Sequence, residues 1–159
     1  MSNARFFLAG LTVVAAAILF AAFASEWWGG LVPCALCLVE RWPYRLAIGV
    51  GVIGMVVPER FLYLVFALYG LAMLGGVAAA AVHVGVEQGA WPSPMPECVG
   101  PNLSGLSFAE KLARMPERPS KPCDEPTFLV PGLPVSMAAM NLIAALGLMG
   151  AAFWRVRRR

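Results

Sequence analysis

Four cysteines carry the chemistry open to this chain: Cys34, Cys37, Cys98 and Cys123. The first two form Cys34-Ala35-Leu36-Cys37, a Cys-x-x-Cys spacing in which a disulfide closes within one helical turn. That spacing commonly belongs to redox-active bonds, in which the thiolate is the nucleophile. As a staple it would contribute little, because closing so small a loop removes little unfolded-chain entropy. Cys98 and Cys123 bracket a proline-rich stretch. They could staple it, or, as a mobile and exposed disulfide, take attack from an incoming protein thiolate. Four cysteines could also hold zinc, but structural zinc sites usually combine two short-spaced pairs. Only one pair is short here, and no metal is expected.

Few other polar residues lie near the first pair. Arg41 follows Cys37 by four positions, so Cys34, Cys37 and Arg41 share a helix face if the helix starts that early. A fixed positive charge beside a thiol favours the thiolate. It could also stabilise a reduced, anionic carrier or donate to its carbonyl oxygen; the alternative is an arginine snorkelling to the headgroups. Arg45 reads as snorkelling and Glu40 as the partner of an arginine. His83 is the only histidine. It could bond a carrier oxygen, pass a proton, or be a satisfied interfacial histidine, since polar groups in apolar spans usually have a job or a partner.

The elements that must hold these residues follow from composition. The 159 residues are 60% hydrophobic and 13% charged, with a mean hydropathy of +0.73. A soluble domain is about 45–50% apolar and about 25% charged, and one this small could not hide the excess. Disorder is excluded on the same ground, and an integral membrane protein is expected. Four apolar runs approach the roughly 20 residues that a helix needs to cross a bilayer: about 6–25, 40–57, 61–86 and 135–154. The second is the weakest, because reaching span length draws in Glu40, Arg41 and Arg45. The expected architecture is all-α, a single four-span membrane bundle with a short outer loop, about 26–39, and a long one, about 87–132.

Charge sets the orientation. Arg5, Arg60 in the Val57-Pro58-Glu59-Arg60 link, and the tail Arg155, Arg157, Arg158 and Arg159 fall on one side only if there are four spans. The positive-inside rule makes that side cytoplasmic, with both termini there. The basic tail directly follows an apolar run, so it reads as a membrane stop, and no nucleic-acid partner is expected. Trp27, Trp28, Trp42 and Trp91 fall at outer span ends and Trp154 at an inner end, as an interfacial belt requires. Ala22-Phe23-Ala24 before Ser25 also resembles a signal-peptide cleavage site, but the apolar run exceeds the usual core of such a peptide. The first span is expected to be retained.

Nine of the 13 prolines lie in the long loop, which should be mostly irregular because proline lacks a backbone donor. Leu103–Met115 escapes. Its Leu103, Leu106, Ala109 and Leu112 recur at helical spacing, and Ser107-x-x-Glu110 could form a capping box. This segment could lie on the outer leaflet or pack on the protein itself. Glycines and alanines within the spans suit close helix packing. All four cysteines fall in or beside the two outer loops, where disulfides form and persist outside the cytoplasm. The Cys-x-x-Cys pair sits where water meets lipid, a depth that suits a lipid-soluble electron carrier.

Taken together, the four spans, the string Cys34-Ala-Leu-Cys37-x-x-Glu40-Arg41, and Pro92-Ser-Pro94 ahead of Cys98 and Cys123 resemble the DsbB family of bacterial inner-membrane disulfide-forming proteins. The resemblance covers nearly the whole chain. It implies a periplasmic DsbA-type thiol oxidase as partner and membrane quinone, ubiquinone or menaquinone, as electron sink. It places Cys34 and Cys37 beside the quinone and Cys98 and Cys123 in the loop that meets the partner. Arg41 matches the family's quinone-site arginine, and His83 matches a histidine by the quinone. The implied relay starts with a partner thiolate attacking the loop disulfide at Cys98. The reduced loop pair then exchanges with Cys34–Cys37, and Cys37 passes electrons to quinone. Two other readings remain: a related redox protein serving another thiol partner or running in reverse, and a non-enzymatic scaffold with stapled outer loops.

Overall fold

The computed structural model describes residues 2–98, 105, 107–113, 121–129 and 132–158. The helices are α1 (Asn3–Trp27), α2 (Ala35–Gly54), α3 (Leu62–Glu87), α4 (Phe108–Ala113) and α5 (Met137–Arg157), with 3-10 turns at Glu59–Phe61 and Pro96–Cys98. Among the described residues the extended structure is one isolated parallel bridge, Cys34 to Lys121. The all-α expectation holds. Three helical stretches are long and apolar enough to cross a membrane: Asn3–Trp27, Glu59–Glu87 and Met137–Arg157. The other long helix, α2, has 20 residues, but Glu40, Arg41 and Arg45 crowd its first half.

Helix limits differ from the expected runs for local reasons. α2 starts at Ala35, not near 40, because Cys34 caps it: the Cys34 sulfur accepts from the Cys37 backbone N–H. α5 starts after Ser136, whose hydroxyl accepts from Ala139 N at 3.2 Å. Such caps satisfy N–H groups that have no partner within the helix. The capping box in the long loop forms as expected. Glu110 Oε2 accepts from Ser107 N at 2.9 Å, and Ser107 Oγ accepts from Glu110 N at 3.4 Å. The helix it starts is the short α4; Leu103, Leu106 and Met115 lie outside the described residues.

α2 lies between α1 and α3, and α3 also packs along α5. Arg5 Nη2 donates to the Val57 carbonyl at 2.9 Å, tying the start of α1 to the end of α2. At the other end Ser136 donates to Glu87, tying α5 to α3. The main core holds Leu8, Tyr44, Phe66, Tyr69, Met73 and Ala145. Small residues permit the close approach. A Cβ on Gly54 would lie 2.5 Å from Leu8 and 2.7 Å from Val65, and one on Gly51 would collide with Thr12. Much of the outer surface is apolar, with Phe20, Val52, Leu68, Leu71 and Ile143 exposed, a distribution suited to hydrocarbon as solvent. Trp27 and Trp28 are exposed at the end of α1, Trp42 in the first half of α2, Trp91 just past α3, and Trp154 near the end of α5.

Candidate functional site

The site is built at the first turn of α2. Cys34 and Cys37 are free thiols, with their sulfurs 2.7 Å apart. Capping geometry makes them unequal. The Cys34 sulfur accepts the Cys37 backbone N–H at 3.1 Å, and the Cys37 side chain bonds it as well. Hydrogen bonding from Cys37 therefore holds the Cys34 thiol below the ordinary cysteine range, although its burial works the other way. The donor atoms of Cys34, Cys37 and His83 lie within 4.8 Å of one another. One tetrahedral zinc would hold two sulfurs about 3.8 Å apart, so the closer spacing here suits thiol–disulfide chemistry better.

The loop pair, Cys98 and Cys123, forms a disulfide. The reading of an exposed loop disulfide is corrected: the two residues are only 3% and 1% exposed. They are buried in one cluster with Cys34, Leu36 and Val86, against which Cys37 and Met95 pack. One backbone feature holds the loop to the α2 start, the bridge from Lys121 to Cys34, and a second ties the loop to itself, Cys123 N donating to Cys98 O at 3.4 Å. Sequence separation hid this, because nothing in the pattern of prolines says on which helix end the loop folds.

The other face of the dithiol opens on a cavity of about 240 Å³ between α1, α2 and α5, lined by Leu19, Ala22, Cys37, Arg41, Met137 and Ala144 among others. Cys37 and Arg41 share this wall, as their four-residue spacing predicts. Arg41 is 8% exposed. Its Nη1 donates to Glu26 Oε2 at 2.9 Å, and its guanidinium lies 4.6 Å from the centre of the Phe23 ring. It is thus anchored inside the protein and does not snorkel. Arg45 stacks over Trp42 at 5.1 Å.

His83 lies outside the cavity lining, on the far side of Cys34. Its Nε2 is 3.5 Å from the Cys34 sulfur, and its Nδ1 is 2.8 Å from Glu40 Oε1. Glu40 does not pair with an arginine, as its position beside Arg41 suggested. α2 turns its side chain inward, where the other carboxylate oxygen accepts from Asn141 Nδ2 at 2.8 Å. Tyr44 donates to Asn141 Oδ1 at 2.6 Å. Glu26, Tyr44 and Asn141 are missed by sequence reasoning. A signal existed for Asn141, an amide within an otherwise apolar run; Glu26 reads as an ordinary loop acid.

A family model described as DsbB: Disulfide bond formation protein DsbB matches residues 4–155. Disulfide bond formation protein B of Actinobacillus pleuropneumoniae serotype 5b (strain L20) is 33% identical over 90 residues, which are 55% of this chain and 49% of that protein. The match spans about half the length of that curated relative. No solved structure matches the chain.

Proposed function

The chain belongs to the DsbB family of disulfide bond formation proteins, and from that premise we propose that it is a protein-disulfide:quinone oxidoreductase. It takes electrons from a periplasmic DsbA-type thiol oxidase and delivers them through two cysteine pairs to ubiquinone or menaquinone in the bilayer. The observation that carries this reading is the division of the dithiol. Cys34 is buried with the Cys98–Cys123 disulfide, whereas Cys37 packs against the edge of that cluster and also lines the cavity. A relay needs this two-sided placement, and a staple does not.

The cavity suits a quinone ring. Its walls are mostly aliphatic, and Arg41 and Asn141 place donors among them, the pattern of a small-molecule site with few oriented polar groups. Quinone supplies the two-electron acceptor. The chain supplies the rest. A partner thiolate attacks Cys98, releasing Cys123 as a thiolate. Cys123 attacks Cys34 of the closed Cys34–Cys37 disulfide, and Cys37 leaves as a thiolate beside Arg41. The partner's second thiolate attacks the mixed disulfide, closing the partner's own bond and releasing Cys98, whose attack on Cys123 re-forms Cys98–Cys123 and frees Cys34. Arg41, fixed by Glu26, holds charge opposite the developing anion in the cavity. Burial of the loop disulfide adds one requirement: the loop must lift from the α2 start before a partner thiolate can reach it.

The proposed orientation is a single four-span inner-membrane domain with both termini cytoplasmic and the cysteine loops periplasmic. Arg5, Arg60 and the arginine tail support it. α2 is then the fourth span, with Glu40 and Arg41 turned toward His83, Glu26 and the cavity and Arg45 exposed over Trp42. Burial of Cys98–Cys123 favours one rival, a scaffold with a stapled loop. The deciding experiment is a steady-state assay of the full chain in detergent with a reduced Cys-x-x-Cys oxidase and quinone. The proposal expects quinone loss that disappears on replacing any one of the four cysteines by serine; inert cysteines and no quinone loss favour the scaffold.

A further inference from the structure

The polar groups around Glu40 form one directional chain. Tyr44 has a single hydroxyl proton and gives it to Asn141 Oδ1. The amide is thereby oriented, with its nitrogen donating to Glu40 Oε2. With the Glu40 carboxyl ionised, the proton at its other oxygen sits on His83 Nδ1. In a neutral imidazole that assignment leaves Nε2 with a lone pair, aimed at the Cys34 sulfur 3.5 Å away. The Cys34 sulfur in turn accepts from Cys37. Nucleophile, imidazole and carboxylate thus stand in the order that activates a thiol by an oriented base. The far end of the chain is on the cavity wall, where Glu40 and Asn141 both appear while His83 does not.

We propose that Cys37, Cys34, His83 and Glu40 form a proton wire that carries both thiol protons of the dithiol to the quinone cavity. The proposal rests on the oxidase reading above and deepens it. Oxidation breaks two S–H bonds and forms the Cys34–Cys37 bond. The electron pair leaves through the Cys37 sulfur to the quinone in the cavity, as the Cys34 sulfur bonds to it. The Cys34 proton moves to His83 Nε2, the Nδ1 proton moves to Glu40 Oε1, and Glu40 delivers a proton to a quinone oxygen. A ring flip of His83 returns its N–H to the Glu40 side, and before the S–S bond closes the Cys37 proton crosses the Cys34 thiolate by the same path. Two protons and two electrons reach the acceptor together, and no charge is left in the interior, where an unpaired ion is costly. The titratable groups facing His83 are Glu40, Cys34 and Cys37 from the start of α2 and Glu87 one turn along α3. Tyr44 reaches the chain through Asn141.

The test needs a readout other than turnover. Infrared difference spectra are recorded on the full chain in detergent, without quinone, between dithiothreitol-reduced and chemically oxidised states. The wire predicts carboxylate and imidazole bands that change with the dithiol, and Glu40→Gln should erase the carboxylate band. In the quinone assay Glu40→Gln and His83→Asn should slow turnover about a hundred-fold or more, and their rates should rise steadily with pH, since the thiol protons must then leave to hydroxide. A wild-type spectrum without carboxylate or imidazole changes overturns the wire, even if the variants fail to fold. So does a folded Glu40→Gln protein with the wild-type rate and pH profile. A wild-type protein that shows both bands but reduces no quinone sinks the oxidase reading and leaves the wire standing.

Discussion

Cys34 is joined to Lys121 by a lone parallel bridge, so the cap of α2 and the strand of loop that carries Cys123 run side by side. The backbone of the loop is thereby registered against the Cys-x-x-Cys turn, and Cys34, Cys98 and Cys123 share one buried cluster. The double variant Cys37→Ser, Cys98→Ser leaves Cys34 and Cys123 as the two remaining thiols. It should form a Cys34–Cys123 disulfide under mild oxidation, detected as a cross-linked peptide pair by non-reducing mass spectrometry. Two thiols that stay free under conditions that close Cys98–Cys123 in the native chain would show that the bridge does not persist.

The cap geometry gives a pH dependence. The Cys34 thiol is held below the ordinary cysteine range chiefly by its hydrogen bond from the Cys37 side chain. A lowered value means that the thiolate is present at lower pH and disappears only as pH falls through that lowered value. In the reduced protein, alkylation of Cys34 by a small reagent should therefore set in at lower pH than for a free cysteine. Cys37→Ala removes the side-chain donor and should move the onset upward. An unchanged onset, followed by mass spectrometry against pH, would remove the cap argument.

Much of this site was legible in one dimension, and the reasons are physical. The Cys-x-x-Cys spacing announces its own chemistry, and the offset of Arg41 from Cys37 puts them on one wall because helical periodicity is local. The destination of Glu40 was not legible. Adjacent charges suggested a pair with arginine, yet its partners His83 and Asn141 lie on α3 and α5, and only the packing of three helices brings them together. Burial of Cys98 and Cys123 was hidden for a similar reason: it depends on where the loop lands. The second span read as weak because of its three charges, and α2 indeed falls short on composition: Glu40 and Arg41 turn inward to His83, Asn141 and Glu26, while Arg45 stays exposed over Trp42.

Arg41 is held by Glu26 and Phe23, so its contribution should separate into charge and position. Arg41→Met should raise the quinone KM by roughly ten- to a hundred-fold, the worth of a lost charged hydrogen bond of about 1.5–3 kcal/mol. Thiol exchange between the two cysteine pairs should be unaffected. Glu26→Gln keeps the Arg41 charge but weakens its anchor to a neutral hydrogen bond, and should give a smaller rise. Equal KM values in all three proteins would remove Arg41 from the cavity's function.

Helix packing offers a control far from the cysteines. A side chain on Gly54 meets Leu8 and Val65, whereas one on Gly75 meets nothing within 4 Å. Gly54→Val should overpack the bundle by about 1–3 kcal/mol and lower the melting temperature in detergent. Gly75→Ala should melt like the native chain. Equal melting temperatures would contradict the close approach of α1, α2 and α3 at Gly54.

The most direct measurement is a single turnover. The fully reduced chain in detergent is mixed with one equivalent of quinone, and quinone absorbance and disulfide content are followed together. The account predicts one Cys34–Cys37 disulfide formed for each quinone consumed in the Cys98→Ser, Cys123→Ser background, and none when Cys37 is serine. Quinone left unreduced by an intact Cys34–Cys37 dithiol, or consumed without that bond forming, would contradict it.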